Sequence, residues 1–465
     1  MNTTENGFTW RSQSTFVIAT AGATLSLNDF LTFPVLAGQN GGGAFLLLYI
    51  LFLFVLGLPL LMAELMLGRL TRSDPAASLR TLSEQYRASV YWKLAGLGSM
   101  LAAFLIVSTL SVIAGWSLAY SVRSMVGVFE GATLETAKLM FEQLTIDGER
   151  MTLWHTLFVL VVVGICAQPI RQGIERFMLV IVPVIFLLLI IGLILAISSS
   201  GFTGSVQYIL YADFTVIDSR TPILALQRAF YTLALGIGVM IAYGRYLPGN
   251  VSIGYAAGLV ITVDLLFSIF TGLSINALML SDGQQPGVDS QFAFRIMPVI
   301  LNQFSSGSMF STLFFMLMTL AALTTSIALL EAPITYLQRK YRITRLKSAV
   351  MTGLGIWLFA LGVVLAHSVW NGDGFTLALF VGDEAIRLVN NAGFHDVLVF
   401  VSSHLIQPFV AFFICLFVAW KIPREVSHKE FALSKHYKFE VWNYLIRYIV
   451  PVLLLIVILA AFGII

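Results

Sequence analysis

The chain has 465 residues, of which 58% are hydrophobic and 11% charged, with a mean hydropathy of +0.89. Soluble domains carry about a quarter charged residues, so this composition excludes a water-soluble fold and implies an integral membrane protein in contact with lipid. A net charge of +3, with the basic residues held in short loops, excludes nucleic acid as a partner.

The polar start Met1 to Arg11 has no short apolar core, so no cleavable signal is expected and the first span acts as the insertion signal. Runs of about 20 apolar residues, the length a bilayer core requires, recur eleven times. They fall near 13–38, 43–68, 93–127, 153–171, 174–199, 222–245, 252–281, 308–338, 347–368, 395–420 and 443–464. Segments this long close their backbone hydrogen bonds as helices in lipid, so the expected fold class is all-α, a polytopic bundle of eleven spans. The expected organisation is a cytoplasmic segment 1–12, a five-helix unit 13–199, an outer loop 200–221, a second five-helix unit 222–420, a cytoplasmic loop 421–442 and a last span 443–465.

Alternate loops differ in charge. Arg69, Arg72, Arg80, Arg87 and Lys93 follow span two, Arg171 and Arg176 follow span four, and Arg339 to Lys347 follow span eight. Lys421 to Lys438 follow span ten, whereas Glu130 to Glu149, Asp213 and Asp218, Asp282 and Asp289, and Asp383 and Glu384 fill the opposite side. Basic residues are retained in the cytoplasm, so the N-terminus is expected inside and the C-terminus outside.

Span one interrupts its apolar run with Ala21-Gly22-Ala23-Thr24-Leu25-Ser26-Leu27-Asn28-Asp29, and span six with Thr232 to Gly238. Unwound backbone at mid-membrane depth survives only where it lines a cavity, and its freed carbonyls and helix ends are ligands for cations and polar substrate groups. The breaks fall in the first helix of each five-span block, as an inverted repeat requires. Glycines that merely permit close helix packing are the plainer reading.

Asp29, Glu64, Arg228, Asp264 and Glu331 are ionisable groups in or near apolar spans, each needing a partner or a proton. Glu64 and Glu331 could instead hold loose backbone of a broken neighbour, and Arg228, near the outer end of span six, could snorkel. In span eight, Ala321, Thr324 and Thr325 place a carbonyl and two hydroxyls on one helical face, an all-oxygen set suited to a hard cation. Cys166 and Cys415 lie in apolar runs and are expected to be buried and inert. The six histidines show no HExxH spacing and there is no GxSxG; no enzyme is expected.

Trp10, Ala21-Gly22, Phe33-Pro34, Gln39 to Phe45, Gly57-Leu58-Pro59-Leu60 and Glu64 to Arg69 resemble the opening of the neurotransmitter:sodium symporters. The resemblance continues through Tyr231 to Gly238, Ala321 to Ser326 and Ser402 to Pro408, covers essentially the whole chain, and is similar to the eleven-span bacterial members. It implies a bacterial inner-membrane location, a small-molecule substrate and sodium as coupling ion. One sodium is implied between spans one and eight at Gly22, Leu25, Ala321, Thr324 and Thr325. A second cation, or a proton, is implied at Thr24, Asp29, Thr232 and Asp264, where the family commonly has asparagine in place of the two aspartates. The substrate positions it implies are Thr24, Leu27, Asn28, Ile106, Leu110, Tyr231, Ala234, Ile237, Thr325 and Leu329. Leu110 stands where the family has a carboxylate-binding tyrosine, and the two aspartates disfavour a substrate carboxylate beside them; an amine or neutral solute and proton coupling therefore stay open beside an amino acid. Ser268 keeps chloride among the candidate ions. Trp10, Glu64, Arg228 and Arg339 are the implied gating and structural residues. The family's outer ion pair is replaced by Thr32 and Val399, with Arg228 as a substitute cation. Its inner arginine and acid are replaced by Gly7 and Arg339, for which a swapped Glu5–Arg339 pair is one candidate. A receptor on the same scaffold is the rival class to a symporter.

Overall fold

The computed structural model describes residues 9–285, 291–370, 374–381, 384–431 and 436–465. Glu5 and Gly7 of the expected inner gate, and Asp289, Asp383 and Lys435 among the loop charges, lie outside the described residues.

Among the described residues, nine helices are long and apolar enough to cross a bilayer: Gly43–Thr71, Val90–Met125, Gly148–Cys166, Arg171–Ile197, Ile253–Ser281, Gly307–Tyr341, Arg345–His367, Phe394–Trp420 and Lys438–Ala461. They correspond to spans two to five and seven to eleven. Span one is a bent pair, Gln13–Thr24 and Asn28–Gln39, whose halves meet at 54°. Span six consists of Thr221–Thr232 and Val239–Gly244, separated by six non-helical residues. Both breaks fall inside the segments where polar and glycine residues interrupt the apolar pattern.

Burial separates the spans by role. In the most apolar stretch of span eight 78% of residues are buried, against 28% in spans five and eleven, so span eight runs through the middle of the bundle and spans five and eleven face lipid. Glycine lets other helices approach the broken ones. A Cβ on Gly22 would stand 2.6 Å from Val182 Cγ2 of span five. Gly236 takes a φ of 75° that L side chains rarely adopt, and a Cβ there would stand 2.5 Å from the Gln407 carbonyl of span ten. Close packing and helix breaking are served by the same residues.

Two features depart from the expected pattern of spans joined by loops. Phe375–Val381 and Glu384–Ala392 pair as an antiparallel hairpin between spans nine and ten. The sequence places Asp383 and Glu384 here in a loop; each strand is too short to span a bilayer, and the Phe, Thr and Val content suits a strand. The outer segment 200–221 contains a helix, Phe202–Leu210. Cys166 and Cys415 are both buried and unbridged.

Candidate functional site

The break in span one follows from the side chain of Asp29. A continuous helix would send the Ser26 N–H to the Gly22 carbonyl; here it goes to Asp29 Oδ2 at 2.9 Å, and the Ser26 hydroxyl joins it at 3.3 Å. The Asp29 N–H in turn donates to the Ser26 carbonyl at 3.1 Å rather than to Leu25. The carbonyls of Gly22 and Leu25 are thereby released from the helical ladder.

Span eight meets those carbonyls. Thr325 Oγ donates to the Leu25 carbonyl at 2.5 Å and to Ala321 at 3.1 Å, and Thr324 Oγ donates to Ala321 at 2.9 Å. A Cβ built on Gly22 would stand 3.8 Å from Cβ of Thr324. The fold therefore gathers Gly22, Leu25, Ala321, Thr324 and Thr325 into one buried cluster. Its donor set is three carbonyls and two hydroxyls.

The break in span six is satisfied by side chains from other helices. Glu64 Oε1 accepts the Gly236 N–H at 2.7 Å, and Gln407 Nε2 donates to the Leu235 carbonyl at 2.9 Å. Glu64 thus holds loose backbone. Glu331 does not: it is paired with Arg345 at 2.7 Å and accepts the Tyr246 hydroxyl at 2.8 Å.

A cavity of about 400 Å³ opens between the two breaks. All ten substrate positions drawn from the sequence line it: Thr24, Leu27, Asn28, Ile106, Leu110, Tyr231, Ala234, Ile237, Thr325 and Leu329. Gln227 also lines it without a sequence signal, as do Ser403, His404 and Gln407, which carry the resemblance in span ten but are given no substrate role by the sequence. A glutamine and a histidine within the apolar run of span ten were the available signal. Thr32 and Val399, where the family's outer ion pair would stand, face the same space.

The carboxylates lie behind this wall. Asp264 is fully buried and both its oxygens face the Thr232 hydroxyl, at 3.0 and 3.3 Å. Asp29 is fully buried and ion-paired with Arg228, and its Oδ1 also accepts the Ser268 hydroxyl at 2.8 Å. Neither aspartate lines the cavity, whereas Arg228 does. This corrects two expectations. Arg228 does not snorkel, being 5% exposed, and the anionic partner left open for it is Asp29. The two aspartates are not a bare like-charge pair, because the Arg228 guanidinium compensates one of them.

On the face marked cytoplasmic by its basic loops, the way in is closed. Trp10 is buried, its indole N–H donating to the Tyr243 carbonyl at 3.2 Å and its backbone N–H to Tyr246 at 3.1 Å. Arg339 pairs with Asp74 at 2.7 Å; the swapped pair with Glu5 lies outside the described residues. Asp74 also caps the helix Pro75–Gln85 by accepting the Ala77 N–H at 3.1 Å. Burial pushes its carboxyl above the ordinary carboxylate value, against the opposing Ala77 N–H and Arg339 charge.

The profile of the sodium:neurotransmitter symporter family matches residues 8–132 and 133–463, nearly the whole chain. The chain belongs to this family. It is 29% identical over 458 residues to the uncharacterized sodium-dependent transporter YhdH of Bacillus subtilis strain 168, covering 98% of each chain. An uncharacterized sodium-dependent transporter of Haemophilus influenzae is 29% identical over 458 residues, covering 97% of each. Among solved structures, MhsT in complex with L-phenylalanine superposes with a TM-score of 0.85 at 29% identity, covering 98% of this chain and 99% of that one. The protein is thus an integral membrane member of a sodium-dependent transporter family.

Proposed function

We propose that the protein couples sodium entry to the uptake of a small, largely apolar amino acid by alternating access. The observation that carries this reading is the cavity between two broken helices, joined through Thr325 to an all-oxygen cluster. Sodium is cargo in this scheme. It would take the carbonyls of Gly22, Leu25 and Ala321 and the hydroxyls of Thr324 and Thr325, with the threonine protons turned away from the ion.

The conformation described here has its cavity toward the outer residues Thr32, Leu36 and Leu224 and its inner face sealed at Trp10 and Arg339–Asp74. Sodium bound between spans one and eight favours this state because it ties the two helices together. Inward opening wets the cluster, weakens the ion's hold and releases the solute. The direction of the cycle comes from the ion's differential affinity for the two states. Asp264, with Thr232 and Thr24, is the position for a second cation or a proton, since a fully buried carboxylate that faces hydroxyls, while the nearby Arg228 is paired with Asp29, needs a further positive charge.

Chloride has no place in this scheme. Arg228 and Ser268 direct their donors at Asp29 Oδ1, so a tethered carboxylate stands where a free anion would be held.

The test is counterflow in proteoliposomes. With sodium on both sides, preloaded L-phenylalanine or L-leucine should accelerate entry of the labelled amino acid. Sodium-dependent binding without exchange of any amino acid would instead favour a receptor.

A further inference from the structure

Among the described residues, the cavity wall carries one formal charge, and it is positive. Among the residues that line it, Arg228 is the sole arginine, lysine, aspartate or glutamate, while Asp29 and Asp264 are fully buried behind it. Of the guanidinium nitrogens, Nη2 donates to Asp29 and Nε has no partner among the described residues. The hydroxyl of Tyr231, which lies three residues on along the same helix and lines the same cavity, also has no partner among the described residues. Residues at this spacing share a helix face with Cβ atoms about 5–6 Å apart. Buried donors left unpaired are costly, and here the Arg228 Nε and the Tyr231 hydroxyl, on one face of the helix at the cavity, both lack an acceptor among the described residues.

We infer that Arg228, with the Tyr231 hydroxyl, binds the carboxylate of the substrate, and that the transported class is therefore apolar amino acids rather than amines. This deepens the symport reading and rests on it. The loss of a hydroxyl at Leu110 is then a relocation of carboxylate recognition from span three to span six. Guanidinium geometry permits the double duty, because its five N–H groups form a fork that can hold Asp29 on one side and a second carboxylate on another. Charge balance agrees: Asp29 and Arg228 cancel, Asp264 cancels one bound cation, and a zwitterion adds no net charge. An amine would meet the positive end of the Arg228–Asp29 pair, with the Asp29 carboxylate screened behind it.

Purified protein in sodium buffer can be titrated with three matched pairs: L-phenylalanine and 2-phenylethylamine, L-tryptophan and tryptamine, L-leucine and isoamylamine. Thermal stabilisation and calorimetric Kd are the readouts. At least one amino acid should stabilise the protein and bind at least about tenfold tighter than its amine. Arg228→Gln/Asp29→Asn, which removes both charges together so that neither is stranded, should weaken that amino acid at least about tenfold while sodium alone still stabilises the variant. Tyr231→Phe should weaken it by a smaller factor. An amine that binds as well as its amino acid overturns the assignment, as does a double variant that binds the amino acid within about threefold of the parent. Failure of all six compounds in protein that sodium does stabilise overturns it too. Protein that sodium does not stabilise would count against the coupling scheme instead.

Discussion

Asp29 and Arg228 are 199 residues apart in the chain and form a buried ion pair between the broken first and sixth spans. The pair joins the two discontinuous helices at the point where each must change direction. Breaking a buried pair from one side leaves an uncompensated charge and typically costs about 3–5 kcal/mol, whereas removing both partners costs far less. Asp29→Asn and Arg228→Gln should each lower the thermal unfolding temperature sharply, and the double variant should recover most of the loss. Equal, additive losses in the double-mutant cycle would mean that the two groups act independently.

Glu64 supplies the acceptor for Gly236 N–H at a turn where no helical carbonyl is available. Glu64→Ala strands that donor and should destabilise the protein by about 1–3 kcal/mol. Glu64→Gln retains an acceptor oxygen and should cost less than half as much. Denaturation followed through intrinsic fluorescence separates the two.

The inner latch predicts a pH dependence. The closed inner face buries Asp74 and raises its pKa, whereas inward opening that exposes it would return it to the ordinary value. The closed form thus binds the proton more tightly. Lowering the cytoplasmic pH through the range above the ordinary carboxylate value should populate the outward-facing state and slow inward opening. Asp74→Asn should remove this dependence. Cysteine accessibility at the inner face, measured between pH 7 and pH 5, reads it directly; accessibility that rises on acidification would reverse the sign.

Replacing chloride by gluconate should leave sodium-dependent binding unchanged, because Asp29 occupies the donors that a free anion needs. Asp29→Ala should, by the same reasoning, create a chloride requirement where the folded protein survives the change.

Much of this molecule is written in local sequence. Span positions follow from lengths of apolar run, and both breaks follow from glycine and polar residues at depths where a helix would not choose them. Asp29 is the instructive residue: its place in the break was legible, and so was its cost in lipid. Its partner was not, because Arg228 lies 199 residues away and nothing local distinguishes a buried arginine from one reaching for the headgroups. The same holds for Glu331, whose partner Arg345 sits 14 residues on, past the end of its own helix. The hairpin after span nine escaped because hydropathy windows sized for helices pass over short strands.

The oxygen cluster between spans one and eight is the proposed sodium site, and equilibrium binding of radioactive sodium to purified protein reads its occupancy without reference to the solute. The parent protein should show saturable binding, and Thr324→Ala/Thr325→Ala should weaken it by at least about tenfold while remaining folded. Undiminished sodium binding in that folded variant would contradict the central claim.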